Sequence, residues 1–196
     1  MSILQQGGFM MWPLLILSVA ALAVILERLV AFTTRRFPSA EALSSLLDTF
    51  RTQGREAAIR RVEETAPAFG PFFSACFSTD TGNREADIQD AGDEVLFQFN
   101  ARLDFLSTAA ATAPLMGLLG TVLGMINAFS RLSSAGDVDI TMLAGGIWQA
   151  LLTTAAGLSI AIPAVLAHRW FCREYDKIAH TMQHAARRIP VPDSES

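Results

Sequence analysis

Two uncharged stretches hold the residues best placed to do chemistry, "APLMGLLGTVLGMINAF" from Ala113 to Phe129 and "GGIWQALLTTAAGLSIAIPA" from Gly145 to Ala164. Both are apolar enough to sit in lipid, yet they contain Thr121 in the first and Gln149, Thr153, Thr154 and Ser159 in the second. The chemistry open to such groups is hydrogen bonding. A membrane hydroxyl can donate to the carbonyl one turn back and do no more. Gln149 is harder to place, because its primary amide is costly to face toward lipid and must point into protein, water or a pore. On a helix Gln149 and Thr153 share nearly one face, whereas Thr154 lies about 140° around from Gln149.

No acid, base or nucleophile accompanies these groups. Neither stretch contains Asp, Glu, His, Lys or Arg, so protons crossing here need a relay from a partner or from water. "GLSIA" is not a nucleophile turn, and His168, His180 and His184 lie at or beyond the end of the last apolar run. The His180 and His184 pair has the spacing of a zinc helix but lacks the accompanying Glu and a third ligand, so a solvated face is the expectation. The chain is read as a non-enzyme without a cofactor or metal site.

Small residues recur at three- or four-residue intervals: Gly117, Gly120, Gly124 and Ala128 in the first stretch, Gly146, Ala150, Gly157 and Ala161 in the second. That spacing lets helix backbones approach closely in lipid, where apolar burial drives association little. Pro114 and Pro163 are expected to kink the helices that contain them.

The elements that must position these residues follow from composition. Of 196 residues 51% are hydrophobic and 17% charged, the balance of a membrane protein. Phe9–Leu26, Phe105–Ser130 and Ile140–Ala167 are uncharged runs, against roughly 20 residues needed to span a bilayer. Three transmembrane helices are predicted. The second and third would measure roughly 39 and 42 Å, longer than the hydrocarbon core, and should tilt or project beyond it. The first lacks a basic leading region and an Ala-x-Ala cleavage site, so it is expected to remain as an anchor.

Cations set the orientation. Arg28, Arg35 and Arg36 follow the first run, Arg102 precedes the second, and Arg169, Arg173 and Lys177 follow the third, whereas Arg131 alone lies between the second and third. The expected organisation is an outer N-terminus (1–8), a first span (9–27), a cytoplasmic helical region (28–104), a second span (105–130), an outer loop (131–139), a third span (140–167), and a cytoplasmic helix and disordered tail (168–196). Cys76 and Cys172 then fall on the reducing side as packing residues. A net charge of -4 does not suggest nucleic-acid binding.

Within the cytoplasmic region Pro38-Ser39 starts one helix, and a second is predicted over Arg55–Thr65. From an Asn83 N-cap an apolar stripe through Ile88, Val95, Phe99, Leu103 and Leu106 predicts one long helix running into the second span. Asp87, Asp90, Asp93 and Glu94 read as its solvated face. The region has little continuous apolar content, so it is expected to pack on extensions of the second and third spans or on neighbouring subunits.

The two quoted motifs, with Glu27-Arg28 after the first run, closely resemble the ExbB/TolQ branch of the MotA/TolQ/ExbB family. The match is strong over Ala113–Ala167 and weakest over about Ser39–Asn83. The resemblance implies an all-α membrane protein of three transmembrane helices with long cytoplasmic helical extensions, forming a homo-oligomeric, pentameric ring in the bacterial inner membrane. Two copies of an ExbD/TolR-like single-span partner would occupy the pore, with ion flow driving rotation; H+ is the expected ion and Na+ the alternative.

It also implies that Thr121 and Thr154 line the ion path near the partner's acidic residue, where hydroxyls can orient water or coordinate an ion. Gln149 joins them as a pathway residue standing where the family commonly has Glu, with a structural or water-organising role near the pore. The small residues would serve as packing and pore-facing positions. The function implied is that of an ExbB-like subunit powering TonB-dependent transport, with itself, the ExbD-like protein, a TonB-like protein and membrane lipid as partners. A TolQ-like subunit energising envelope constriction shares the chemistry, and a non-conducting membrane scaffold is the alternative of another class.

Overall fold

The computed structural model describes residues 7–35, 37–78, 83–134 and 140–189. The segments expected at 1–8 and 131–139 and the tail after Pro190 lie largely outside them. Among the described residues every regular element is helical: α1 (Met11–Thr34), α2 (Ala40–Gln53), α3 (Arg55–Thr65), α4 (Gly70–Cys76), α5 (Arg84–Asn100), α6 (Leu103–Ser134) and α7 (Ile140–Arg188), with a single 3-10 turn at Pro67–Phe69. Three helical stretches, those containing α1, α6 and α7, are long and apolar enough to cross a membrane.

Local chemistry explains both ends of α2. Ser39 caps α2 by accepting from the Ala42 N–H at 3.2 Å. Gly54 separates α2 from α3 at φ 84 and ψ -178, a region essentially restricted to glycine that costs a residue with a β-carbon about 1–3 kcal/mol. Asn83 precedes α5 as expected but makes no side-chain cap. Pro114 lies inside α6 and Pro163 inside α7, and neither ends its helix. The third span and the helix expected after it form one helix of 49 residues.

The single long helix predicted from Asn83 into the second span is instead two. α5 stops at Asn100, Ala101 is extended at φ -49 and ψ 133, and Arg102 turns the chain at φ 67. Arg102 then donates to the Glu27 carboxylate, an ion pair no apolar periodicity can announce. The interruption leaves the Gln98 carbonyl near the end of α5 available, and the buried Arg28 guanidinium donates to it at 3.0 Å.

The chain divides into two compact units, Met1–Glu27 with Arg102–Trp170 and Arg28–Ala101 with Phe171–Ser196. In the first, Met11, Leu14 and Ala21 of α1 are buried, as are Leu106, Ala109 and Ala113 of α6. The core of the second is built of phenylalanine: Phe50 stacks on Phe77 at 4.6 Å, Phe69 on Phe99 at 5.7 Å, and Phe32 on Phe171 at 5.3 Å. Each fully buried phenylalanine contributes roughly 1.5–3 kcal/mol, so this unit is less poor in apolar content than its charged sequence suggests. Its core includes Phe171, Ile178 and Met182 of α7. Arg84 joins the ends of two helices, donating to the carbonyls of Cys76 at 2.8 Å and Ile189 at 3.5 Å.

Candidate ion-path face on α6 and α7

Within the first unit α6 and α7 run antiparallel along a seam of small residues. A β-carbon built on Gly157 would stand 2.5 Å from the Ala113 carbonyl oxygen, one on Gly117 2.9 Å from the Thr153 carbonyl oxygen, and one on Gly146 2.3 Å from the Ala128 Cβ. Gly124 meets Ala150 in the same way at 3.2 Å. The glycines let the two backbones touch, and Ala150 and Ala161 are buried at 3% and 5% exposure.

The polar groups are distributed around this seam. Thr153 lies inside it at 1% exposure, where its hydroxyl donates to Ala150 O at 2.7 Å and approaches Gly117 O at 3.4 Å. A β-carbon on Gly120 would stand 2.6 Å from that hydroxyl, so Thr153 fills the notch this glycine leaves. Thr154 is half-buried and donates to the same Gly117 carbonyl at 3.3 Å. That carbonyl is the one helical geometry pairs with the Thr121 N–H, so a single peptide group links the two predicted threonines. Thr121 is also half-buried, and its hydroxyl donates to Leu118 O at 2.6 Å. It opens an apolar groove of about 560 Å³ with Val122, Met125, Ile126 and Phe129.

Helix rotation gives these groups a side. Thr121 on α6 and Thr154 on α7 each lie about 60° past the seam in chain direction, and on antiparallel helices that offset falls on one side. Around them Leu118, Val122, Leu151 and Leu158 are exposed. Gln149 is offset the opposite way, and a β-carbon on Gly8 would lie 2.0 Å from its Nε2, so the amide is turned to the chain entering α1. The structure therefore brings Thr121 and Thr154 to one open face and sets Gln149 on the other side of the seam. Ser159 is exposed and donates to Ala155 O at 2.8 Å within its own helix.

Several relations here escaped the sequence. The shared Gly117 carbonyl left no trace in side-chain pattern, and Gly8 was one glycine among 13. His180 and His184 meet with ring centroids 4.5 Å apart, and among the described residues no group of three metal-ligating side chains forms.

Residues 68–184, which contain the whole seam, match the MotA/TolQ/ExbB proton channel family. The chain belongs to that family. Among its relatives in this family, the biopolymer transport protein exbB1 of Vibrio cholerae is 31% identical over 191 residues, covering 92% of this chain and 84% of that protein. The putative biopolymer transport protein ExbB-like 1 of Synechocystis is 33% identical over 172 residues, covering 84% of this chain and 67% of that protein. A shorter match of 67 residues, 34% of this chain and 29% of the other, reaches 49% identity with the Tol-Pal system protein TolQ of Haemophilus influenzae.

Proposed function

We propose that this chain is an ExbB-like ion-channel and motor subunit of the bacterial inner membrane. With an ExbD-like single-span partner it converts the proton motive force into work for TonB-dependent transport across the outer membrane. It forms a homo-oligomeric ring of five with its N-terminus periplasmic and its C-terminus cytoplasmic. The observation that supports this reading best is the placement of Thr121 and Thr154 on one open face, on the side of the seam away from Gln149 and Gly8. In a ring that face turns inward to the partner helices, and the two hydroxyls position water or the ion beside the partner's carboxylate. Gln149 keeps a neutral amide at the start of α1 and leaves protonation in the membrane to the partner.

The test is co-expression with the ExbD-like partner and measurement of ion-dependent transport for Thr121→Val and Thr154→Val. Each variant removes a hydroxyl at nearly constant volume and is expected to lower ion-coupled work at least about tenfold, a barrier change of about 1.4 kcal/mol. Full activity in both variants with normal assembly defeats the assignment. A TolQ-like subunit is the second reading, favoured by the local match to the Haemophilus influenzae protein. Complementation separates the two: rescue of TonB-dependent uptake supports the first, and rescue of envelope constriction alone supports the second.

A further inference from the structure

Two helix faces of the second unit are opposite in charge and both turn away from its core. α5 buries Gly92, Val95 and Phe99, and a β-carbon on Gly92 would lie 3.9 Å from the Met182 side chain of α7. Asp90 and Phe97 sit about 160° and 140° around α5 from Gly92, with Asp93 and Glu94 beside them. All three acids are exposed, and Phe97 is 71% exposed in their midst. On α7, which buries Phe171, Ile178 and Met182 in this unit, Arg173 and His180 lie about 180° and 160° around from Met182. Lys177, His184 and Arg187 continue that stripe with Asp176 at its margin, all of them exposed, and the three full cations outnumber the one acid.

Because α5 and α7 back onto a common core, their outward faces point in opposite directions and cannot meet within one chain. Among the described residues Asp90, Asp93, Glu94, Arg173 and Arg187 enter none of the salt bridges, and Lys177 pairs only with its helix neighbour Glu174. The basic stripe runs roughly 21 Å from Arg173 to Arg187 and the acidic one roughly 15 Å from Asp87 to Phe97 at 1.5 Å per residue, so the acidic face fits within the length of the basic one. We infer that the acidic face of α5 in one copy docks on the basic face of α7 in the next copy, with Phe97 against a guanidinium of the stripe. Such a contact is head-to-tail, using two different patches of each chain, the kind of contact that builds a ring when its rotation closes. Cation contact with an aromatic face and opposed charges give it direction and register more than raw affinity. This inference rests on the reading of the chain as a ring-forming subunit and names the contact between its copies.

Native mass spectrometry of the full-length chain in detergent, without partner, tests the contact. D90K/E94K and R173E/R187E should each raise the concentration for half-assembly at least about tenfold, equivalent to about 1.4 kcal/mol. The fourfold variant D90K/E94K/R173E/R187E exchanges the signs of both faces and should assemble again. Assembly of the parent should weaken as NaCl rises, since exposed charges are screened beyond about 8 Å at 0.15 M. The inference is overturned if both double variants assemble as the parent does, or if the fourfold variant stays dissociated with unchanged helix content. It is also overturned if only R173E/R187E has an effect, which assigns the basic stripe to anionic lipid or another protein. Parent rings that assemble in this way but perform no ion-coupled work with the ExbD-like partner would count against the motor reading alone.

Discussion

At residue scale, identity in sequence does not decide what a polar group in a membrane helix does. Thr153 and Thr154 are adjacent threonines, yet one is sealed in the seam and the other reaches its edge, because successive helix positions differ by about 100°. Gln149 shows the same dependence on phase, its amide set against Gly8 at φ 72. Gly8→Ala should cost about 1–2 kcal/mol from the left-handed backbone alone. Displacing the Gln149 amide should add a further cost that vanishes in a Gln149→Ala background. Unfolding of the single and double variants in detergent measures the coupling, expected at about 0.5 kcal/mol or more. Additive effects would show that the amide and the turn are independent.

At the scale of elements, the informative feature is the joint between α5 and α6. Its sequence, Phe97 to Leu106, continues a helical apolar pattern, and helical propensity gave no reason to stop. Tertiary partners overrode it: Arg28 takes the Gln98 carbonyl and Glu27 holds Arg102 beyond the last turn of α5. Arg102 pays for a positive φ of 67 with an ion pair whose side chains are 59% and 39% exposed. An exposed pair contributes at most about 1 kcal/mol, comparable to the strain that glycine would relieve. Arg102→Gly should therefore leave the melting temperature close to that of the parent. Arg102→Val, which loses the pair and keeps the strain with a β-branched side chain, should be less stable than Arg102→Gly by at least about 1 kcal/mol. Equal melting of the two variants would remove the conformational argument.

For the whole molecule, stability should depend on alkaline pH through Cys76. Its thiol is fully buried at the end of α4, and burial raises its pKa from 9.0 to about 12 against the opposing pull of Arg84. Between those values the unfolded chain has lost this proton and the folded chain still holds it. The unfolded state then binds fewer protons, so stability falls as pH rises from about 9 toward 12. Chemical denaturation of the parent and Cys76→Ala across that range checks the sign: the parent's loss should exceed the variant's, and parallel curves would exclude the thiol as the cause. At neutral pH Cys76 should also react with maleimide much more slowly than the half-buried Cys172.

What could be read before folding was whatever depends on neighbours along the chain. The three apolar runs, the helix start at Ser39, the span Arg55–Thr65 and the small-residue intervals of both motifs all reflect 3.6-residue periodicity or local capping. The motifs were enough to indicate the family. Tertiary structure alone decided the rotation of each helix about its axis relative to the next. That rotation puts Thr121 and Thr154 on one side of the seam and Gln149 on the other and gathers phenylalanines from Phe32 to Phe171 into one core, while the contacts of Arg28 and Glu27 mark the break at Arg102. The physical reason is that periodicity specifies which residues share a face, while the partner of that face is chosen by contacts among residues far apart in the chain.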